Sequence, residues 1–217
     1  MQRTVLFWVS SLAILTGGAW LVCPHGQCVA PHFDLGGLGL AHALRSEMLD
    51  GWMAGISWLG SLIVLLPLAA LVALARWRLG CRQEAGFLTL ALLGASAFSH
   101  LAKLFIMRPR PDLFPAWSDM PADWSYPSAH AMQITAMAVA IALIACRWHA
   151  LHAALLGAVM LFVVLLVGLS RVYLQVHFPS DVLAGTLAAA FWVLGLHALM
   201  FGKYSEHDGL TLNRVRT

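Results

Sequence analysis

Six long stretches of the chain contain no charged side chain. They cover residues 4–22, 52–75, 85–102, 131–146, 150–170 and 182–201, and each is 16 to 24 residues long. A helix of about 20 apolar residues crosses the ~30 Å hydrocarbon core of a bilayer. A segment in lipid must satisfy its own backbone hydrogen bonds, and no stretch alternates apolar and polar residues as a barrel strand does. The sequence therefore predicts an all-α membrane protein, a bundle of six transmembrane helices.

The composition supports this prediction and excludes other classes of protein. Hydrophobic residues make up 60% of the 217 residues and charged residues only 11%, whereas soluble domains carry about a quarter charged residues. The net charge of +3 is too small to indicate a nucleic-acid partner. Because no repeat or low-complexity segment divides the chain, we expect a single domain over residues 1–217.

The placement of Lys and Arg predicts the orientation in the membrane. Six spans put eight basic residues on one side and five on the other, and cytoplasmic loops carry the excess of basic residues. Both termini are therefore expected in the cytoplasm. The five outer residues are Arg45, Lys103, Arg108, Arg110 and Arg171. Arg45 and Arg108, each taken singly, are interpreted as membrane anchors, and Pro67 is expected to kink the second span.

Three polar motifs lie at the outer ends of the spans. They cover residues 103–111, 126–130 and 170–181, and alternating topology places all of them on one surface. Lys103, Arg110 and Arg171 bring three positive charges there, and guanidinium groups bind tetrahedral oxyanions in a bidentate manner. The pattern indicates a bound phosphate.

A helix start is expected to add backbone donors to this surface. Pro127 suits the first position of a helix, so the N–H groups of Ser128, Ala129 and His130 are expected to point outward at the anion. The Ser128 hydroxyl is a further donor.

Two histidines of the motifs differ in their surroundings. Asp181 follows His177 by four residues, so its carboxylate is suited to hold the Nδ1 proton and present a basic Nε2 to phosphorus. His130 has no carboxylate nearby in sequence and is better suited to protonate a leaving oxygen. The other eight histidines, His100 among them, are interpreted as structural.

The four cysteines do not form a disulfide framework or a zinc site. Cys81 and Cys146 are expected on the cytoplasmic side as packing residues. Cys23 and Cys28 are expected outside, where a disulfide and two unpaired thiols are about equally compatible with the sequence. No set of ligands accompanies them, so we expect no metal.

The three motifs resemble the signature of the type 2 phosphatidic acid phosphatase (PAP2) superfamily. That family has a lysine, six residues and Arg-Pro, then Pro-Ser-Gly-His, then Ser-Arg, five residues, His, three residues and Asp. The matching residues here are Lys103, Arg110-Pro111, Pro127-Ser128-Ala129-His130, Ser170-Arg171, His177 and Asp181. The resemblance covers a motif core at residues 103–181. Ala129 replaces the family's glycine; it keeps the N–H group, and its methyl group is expected to alter substrate fit more than activity.

The resemblance implies a role for each motif residue. His177 would be the nucleophile that forms a phosphohistidine, Asp181 would orient it, and His130 would be the general acid. The phosphoryl oxygens would be bound by Lys103, Arg110, Ser128, Ala129 and Arg171. Family members of this type use no metal, so no metal or cofactor is expected.

The expected activity is hydrolysis of a lipid phosphomonoester or diphosphate at the outer face of a bacterial cytoplasmic membrane, facing the periplasm or cell exterior. Undecaprenyl diphosphate and phosphatidylglycerol phosphate are the preferred substrates. Lipid A dephosphorylation, or phosphoryl transfer to another lipid, would use the same pocket.

A transporter would place charges inside the spans, and an inactive lipid-binding scaffold would not need the two histidines. Membrane lipids and a lipid phosphate are the expected partners, and the sequence leaves the oligomeric state open.

Overall fold

This computed structural model describes residues 1–117, 120–146 and 150–214. The regular secondary structure of these residues is all helical and includes no strand. This confirms the all-α prediction. The eight α-helices are α1 (Gln2–Val22), α2 (His32–Ala43), α3 (Glu47–Trp58), α4 (Leu62–Arg78), α5 (Arg82–Ile106), α6 (Ala129–Ala145), α7 (Ala150–Tyr173) and α8 (Pro179–Arg214). A short 3₁₀ turn, Pro24–Gly26, follows α1.

Several of these helices are long and apolar enough to cross a bilayer. They are α1, α5, α7 and the segment Pro179–Gly202 of α8. Helices α3 and α4 pass the same test as a pair that is bent by 43°, while α6 is apolar but has only 17 residues. Length and composition thus give four spans, or five with the bent pair, and identify a multi-pass membrane protein.

The bend in the α3–α4 pair lies at residues 59–61, between the two helices. Pro67 is an interior residue of α4, and the kink expected there stays a prediction. The Ser61 side chain accepts a hydrogen bond from the N–H of Ile63 at 3.2 Å and so caps a new helix. The break is therefore followed directly by a capped start of α4.

Helix α6 is the centre of the bundle. It packs against α5, α7 and α8, and α1 lies along the outer side of α8. Its buried residues are mostly alanine and methionine, and small residues allow the neighbouring backbones to approach closely. Gly94 and Gly195 allow a similarly close approach by a side chain, because each lies directly against a tryptophan ring, Trp192 and Trp8 respectively.

The three motifs meet at one end of this bundle. Helices α5 and α7 end there, and α4, α6 and α8 begin there. Helix α2 packs against α7 and α8, and α3 packs against α7, so both cover this end. The described parts of the segment between α5 and α6 lie over the same end, since the Ser125 N–H donates to the Arg108 carbonyl and the Trp117 N–H to the Leu174 carbonyl.

Candidate active site

Basic side chains and histidines from all three motifs line one cavity of about 230 Å³. The motif residues on its surface are Lys103, Arg110, Ala129, His130, Arg171 and His177. Ser128 and Asp181 are fully buried behind this surface. The structure therefore brings the eight sequence-predicted site residues to one place, six of them on the cavity wall and two in the layer that supports it.

Two of the cations come from the last turns of long helices. Lys103 lies near the end of α5 and Arg171 near the end of α7, and both are more than nine-tenths buried. Arg171 donates to the Ser57 hydroxyl through one terminal nitrogen, while its Nε is buried without a hydrogen-bond partner in the described structure. A buried donor without a partner is costly, so Arg171 is equipped to receive an oxyanion from the cavity.

The third cation, Arg110, holds several groups at once. Its Nε donates to the Asp123 carbonyl at 2.9 Å, and Nη1 donates to the Val176 carbonyl at 2.6 Å. The half-exposed Asp123 carboxylate pairs with Arg110 and also with Lys103, whose Nζ is 3.0 Å from Oδ2. In this structure the charges of two cations that face the cavity are thus balanced by a carboxylate of the protein itself.

The position of Asp123 changes its own acidity. Burial raises the pKa of the Asp123 carboxyl, but hydrogen bonds and charge attraction from Lys103 and Arg110 outweigh burial and bring the pKa down from 3.8 to about 2. The carboxylate is therefore ionised at neutral and mildly acidic pH.

His177 is only 1% exposed and presents one ring nitrogen to Arg110. Its Nε2 lies 3.2 Å from Arg110 Nη1. Because guanidinium nitrogens only donate, Nε2 must be the unprotonated acceptor and Nδ1 must carry the proton. Burial, followed by the charge of Arg110 and other nearby cations, lowers the pKa of His177 well below 6.5. Its ring is neutral, and the Nε2 lone pair on the cavity side accepts the hydrogen bond from Arg110.

The opposite side of the His177 ring faces Asp181. Nδ1 lies 3.5 Å from Asp181 Oδ2 and 3.4 Å from the Ser125 hydroxyl oxygen. Ser125 in turn donates to the same carboxylate oxygen, and so does the N–H of Phe178 at 3.0 Å. The Nδ1 proton therefore faces a carboxylate whose position is fixed by other donors, as the i,i+4 spacing predicts.

The start of α6 differs in detail from the sequence prediction. Helix α6 begins at Ala129 with Ser128 as its N-cap, so Pro127 precedes the helix and is not its first residue. The expectation that the Ser128 N–H points outward is wrong, because it donates to the Asp181 carbonyl at 3.1 Å. The Ser128 hydroxyl is buried and has no partner in the described structure. The N–H groups of Ala129 and His130 lie in the first turn, where a helix provides no acceptor.

A second cavity of about 320 Å³ adjoins the first and shares His130 and Arg171 with it. Its other walls are mainly apolar and include Trp58, Trp117 and Leu174, with the Ser57 and Ser61 side chains between them. His130 thus stands at the boundary between a cation-lined cavity and an apolar one.

The structure also corrects the interpretation of one arginine and gives protein partners to a second, whose role as a membrane anchor stays a prediction. Arg108 is 1% exposed and lies between the carboxylates of Asp34 and Asp181, so its interpretation as a membrane anchor is wrong. Arg45 pairs with Asp50 at 3.0 Å and donates to the Pro115 carbonyl at 2.8 Å. Both side chains have protein partners because the segments that follow α1 and α5 fold back over the end of the bundle.

Sequence reasoning missed several polar groups at the site. Asp34 is about 70 residues from any motif, and nothing in its sequence neighbourhood relates it to Arg108. Ser125 and Asp123 lie just before the second motif in the sequence. This proximity along the chain was the signal that could have assigned them to the site. His100, interpreted as structural, lies on the cavity wall with its Nδ1 2.8 Å from the Ser96 carbonyl.

The alternative left open for Cys23 and Cys28 is decided by the structure, which joins them in a disulfide. The bridge follows the end of α1, next to the Val29 carbonyl that accepts a hydrogen bond from Arg108 at 3.2 Å. The disulfide and the cavity are therefore at the same end of the bundle. The thiols of Cys81 and Cys146 are free and follow the opposite ends of α4 and α6.

Comparison with known proteins agrees with this geometry. The sequence model of the PAP2 superfamily matches residues 84–205. The chain is 31% identical over 146 residues to phosphatidylglycerophosphatase B of Bacillus subtilis (strain 168), covering 65% of this chain and 70% of that protein. It is 32% identical over 151 residues to the undecaprenyl-diphosphatase of Sulfolobus acidocaldarius, covering 68% of this chain and 66% of that protein.

Two solved structures are similar in fold. The crystal structure of a transmembrane PAP2-type phosphatidylglycerolphosphate phosphatase from Bacillus subtilis superposes with a TM-score of 0.76 at 23% identity, covering 92% of this chain and 96% of that one. The crystal structure of Aquifex aeolicus LpxE gives a TM-score of 0.61 at 26% identity and covers 77% and 95%. The match to more than half of the chain settles the family: this protein belongs to the PAP2 superfamily and is a phosphatase.

Proposed function

We propose that this protein hydrolyses a lipid phosphomonoester or diphosphate through a phosphohistidine on His177, and that its preferred substrates are undecaprenyl diphosphate and phosphatidylglycerol phosphate. The observation that carries the proposal is the pair of adjoining cavities, one lined by three cations and one mainly apolar. A phosphoryl group fits the first, and the lipid-bearing leaving group fits the second. The names of the Bacillus and Sulfolobus relatives support these two substrates.

The first chemical step follows from the orientation of the His177 ring. Nε2 attacks phosphorus while Arg110 transfers its hydrogen bond from Nε2 to a phosphoryl oxygen. The bond between phosphorus and the leaving oxygen breaks, and His130, at the boundary of the two cavities, gives that oxygen a proton. Lys103 and Arg171 neutralise the charge that accumulates on the equatorial oxygens.

The second step returns the enzyme to its starting state. Water enters from the leaving-group side, His130 takes its proton, and the new oxygen–phosphorus bond displaces the His177 nitrogen, releasing inorganic phosphate. Asp181 remains close to Nδ1 in both steps and balances the positive charge that the ring carries as phosphohistidine. The Ser128 hydroxyl and the Ala129 N–H are the remaining donors that we assign to the phosphoryl oxygens.

We also propose that one domain over residues 1–217 crosses the membrane six times, with α6 as the short fourth span and both termini in the cytoplasm. The disulfide supports the corresponding orientation. Disulfides persist in oxidising compartments, and the Cys23–Cys28 bond lies at the same end as the cavity. The active site then opens to the periplasm or cell exterior, and the free thiols face the reducing cytoplasm.

The function is tested by phosphate release from detergent-solubilised protein. The panel contains undecaprenyl diphosphate, phosphatidylglycerol phosphate, phosphatidate and lipid A. We expect the first two to be the best substrates and His177→Ala to abolish release, with acid-labile phosphate on the wild-type chain during turnover. Normal release by His177→Ala would contradict the nucleophile assignment, and transfer of phosphate to added lipid without release would identify a phosphotransferase.

The role of the apolar cavity has its own test. Trp58→Ala and Trp117→Ala are expected to raise KM for the lipid substrates but to leave hydrolysis of p-nitrophenyl phosphate within about twofold, because only the lipid contacts the tryptophans. Trp77→Ala, at the opposite end of α4, is the control. Equal losses of activity on the lipid substrates and on p-nitrophenyl phosphate would show that the lipid does not bind against these tryptophans.

The orientation is tested with a membrane-impermeant maleimide on intact cells. Cys81 and Cys146 are expected to react only after permeabilisation, and Cys23 and Cys28 only after reduction from outside. Labelling of Cys146 in intact cells would contradict the proposed topology.

A further inference from the structure

A charged group is buried beside the candidate active site but does not reach its cavity. Arg108 lies between two carboxylates, with Nη2 2.8 Å from Asp34 Oδ2 and Nη1 2.6 Å from Asp181 Oδ1. Both aspartates are 0% exposed. The guanidinium also packs over the Phe178 ring, 3.9 Å from its centroid. Neither Arg108 nor Asp34 lines either of the two adjoining cavities.

Asp34 connects this arginine to the start of α8. Its Oδ1 accepts the Ser180 N–H at 2.8 Å, and its Oδ2 accepts the Ser180 hydroxyl at 2.7 Å. The same hydroxyl receives a hydrogen bond from Arg108 at 2.8 Å. Asp34 therefore binds both the arginine and the residue that directly precedes Asp181, and it ties α2 to the first turn of α8.

As a result, each carboxylate oxygen of Asp181 is held by its own hydrogen-bond donors. Oδ1 is held by Arg108, while Oδ2 accepts from Ser125 and from the Phe178 N–H. Oδ2 is the oxygen that faces His177 Nδ1 at 3.5 Å. A buried carboxylate is costly without a charged partner, and the Asp181 carboxylate, bound through Oδ1 by Arg108 and through Oδ2 by two further donors, has little freedom to rotate.

We infer that Arg108 and Asp34 are positioning residues for the phosphatase reaction, which hold the Asp181 carboxylate in place behind His177. The inference rests on the proposed role of His177 as nucleophile. It reaches beyond the family-matched segment, because Asp34 lies outside residues 84–205. Removing either residue is expected to slow the chemical step and to leave the binding of phosphoryl oxygens intact, since these two side chains do not touch the cavity.

Kinetics with an oxyanion probe separate this role from a general loss of structure. Asp34→Asn and Arg108→Met are expected to lower kcat by about 10-fold or more, while the inhibition constant of inorganic phosphate stays within about twofold. Arg108→Lys is expected to recover part of the kcat, because it restores the charge but not the fork. Asp50→Asn breaks the partly exposed ion pair with Arg45 and serves as the control; its kcat is expected to match the wild type.

A double-substitution cycle tests whether Arg108 acts through Asp181. Asp181→Asn should remove most of the activity. Adding Arg108→Met to it should reduce the activity little further, because the carboxylate that Arg108 positions is already absent. Fully additive losses would overturn the inference, as would a rise in the inhibition constant of inorganic phosphate that parallels the loss of kcat. Where Asp34→Asn folds poorly, Ser180→Ala removes one of the Asp34 contacts and is expected to give a smaller loss of the same kind.

The ring of His177 provides a measurement that does not depend on turnover. In a sample with ¹⁵N-labelled histidine, Asp34→Asn is expected to shift the Nδ1 resonance of His177, identified by its loss in His177→Gln, and Asp50→Asn to leave it unchanged. An unshifted resonance overturns the inference. A wild-type protein that releases no phosphate from any lipid would contradict the proposed function alone, because this resonance still shows whether the buried pair positions the ring.

Discussion

Arg110 Nη1 lies 3.2 Å from His177 Nε2, so the side chain assigned to phosphate binding also contacts the nitrogen assigned as nucleophile. A guanidinium cannot accept a hydrogen bond, and the contact therefore selects the tautomer with the proton on Nδ1. In this structure Arg110 covers the lone pair of Nε2, and under the proposed mechanism a phosphoryl oxygen of the substrate takes over that hydrogen bond. The proposal thus gives Arg110 two roles, to set the tautomer of the nucleophile and to orient the phosphoryl group.

Substitution of Arg110 is expected to affect binding and chemistry together. Arg110→Gln should lower kcat by about 100-fold or more and weaken orthovanadate inhibition, because a charged donor to the transition state is lost. Arg110→Lys should recover the charge but not the simultaneous contacts to Val176 and Asp123, and is expected to remain well below the wild type. Steady-state kinetics and vanadate inhibition measure both effects. A variant with normal kcat and only a raised KM would limit Arg110 to ground-state binding.

Asp123 is expected to compete with the substrate for Lys103 and Arg110. Asp123→Asn should tighten inhibition by vanadate and by inorganic phosphate by about fivefold, corresponding to the ~1 kcal/mol of an ion pair that is partly exposed. Because the Asp123 pKa is about 2, the difference from wild type should be constant at every pH above about 4.

The matched control for this prediction is Asp112→Asn, an exposed carboxylate in the same segment. It removes the same charge and should leave both inhibition constants unchanged. Weaker vanadate binding by Asp123→Asn would show that the carboxylate holds the two cations in place and does not compete with the anion.

The His177 ring is expected to stay neutral in mildly acidic solution. Its pKa is lowered well below 6.5, so the ¹⁵N resonances of His177 should not titrate between pH 7.5 and 5.5. The unfolded chain takes up a proton on this residue near pH 6.5 while the folded chain does not, so the contribution of His177 to the free energy of unfolding falls as the pH drops below 6.5. A titration midpoint at or above 6.5 would contradict the burial of the ring among cations.

Gly60 is expected to be required for the placement of His130. A Cβ at Gly60 would lie 3.0 Å from His130 Cβ and 3.1 Å from its carbonyl oxygen, and 2.7 Å from a methyl group of Val167. Gly60→Ala should therefore displace the start of α6, lower kcat by about 10-fold or more and reduce the melting temperature. Gly55→Ala, in α3 with open space around it, is the control and should behave as wild type. Normal activity in Gly60→Ala would show that His130 does not depend on this close approach.

The sequence predicted which residues meet at one end of the bundle, but it predicted few of the residues that support them. His177 and Asp181 are four residues apart, so spacing alone relates them, and the alternation of the spans brings Lys103 and His130 to the same end. The orientation of the Ser128 N–H was predicted wrongly because its acceptor, the Asp181 carbonyl, lies 53 residues away in a segment that the start of α6 only meets in the folded bundle.

What the sequence determined by itself is the all-helical membrane architecture and the gathering of the three motifs at one end of it. Both follow from features that can be read along the chain: the length of the uncharged stretches and the alternation of the spans between the two sides of the membrane. The tertiary structure alone decided that Arg108 is buried between Asp34 and Asp181, residues 74 and 73 positions away, and that Asp123 pairs with two site cations. A buried charge takes whichever partner the packed helices bring within reach, and no spacing along the chain encodes that partner.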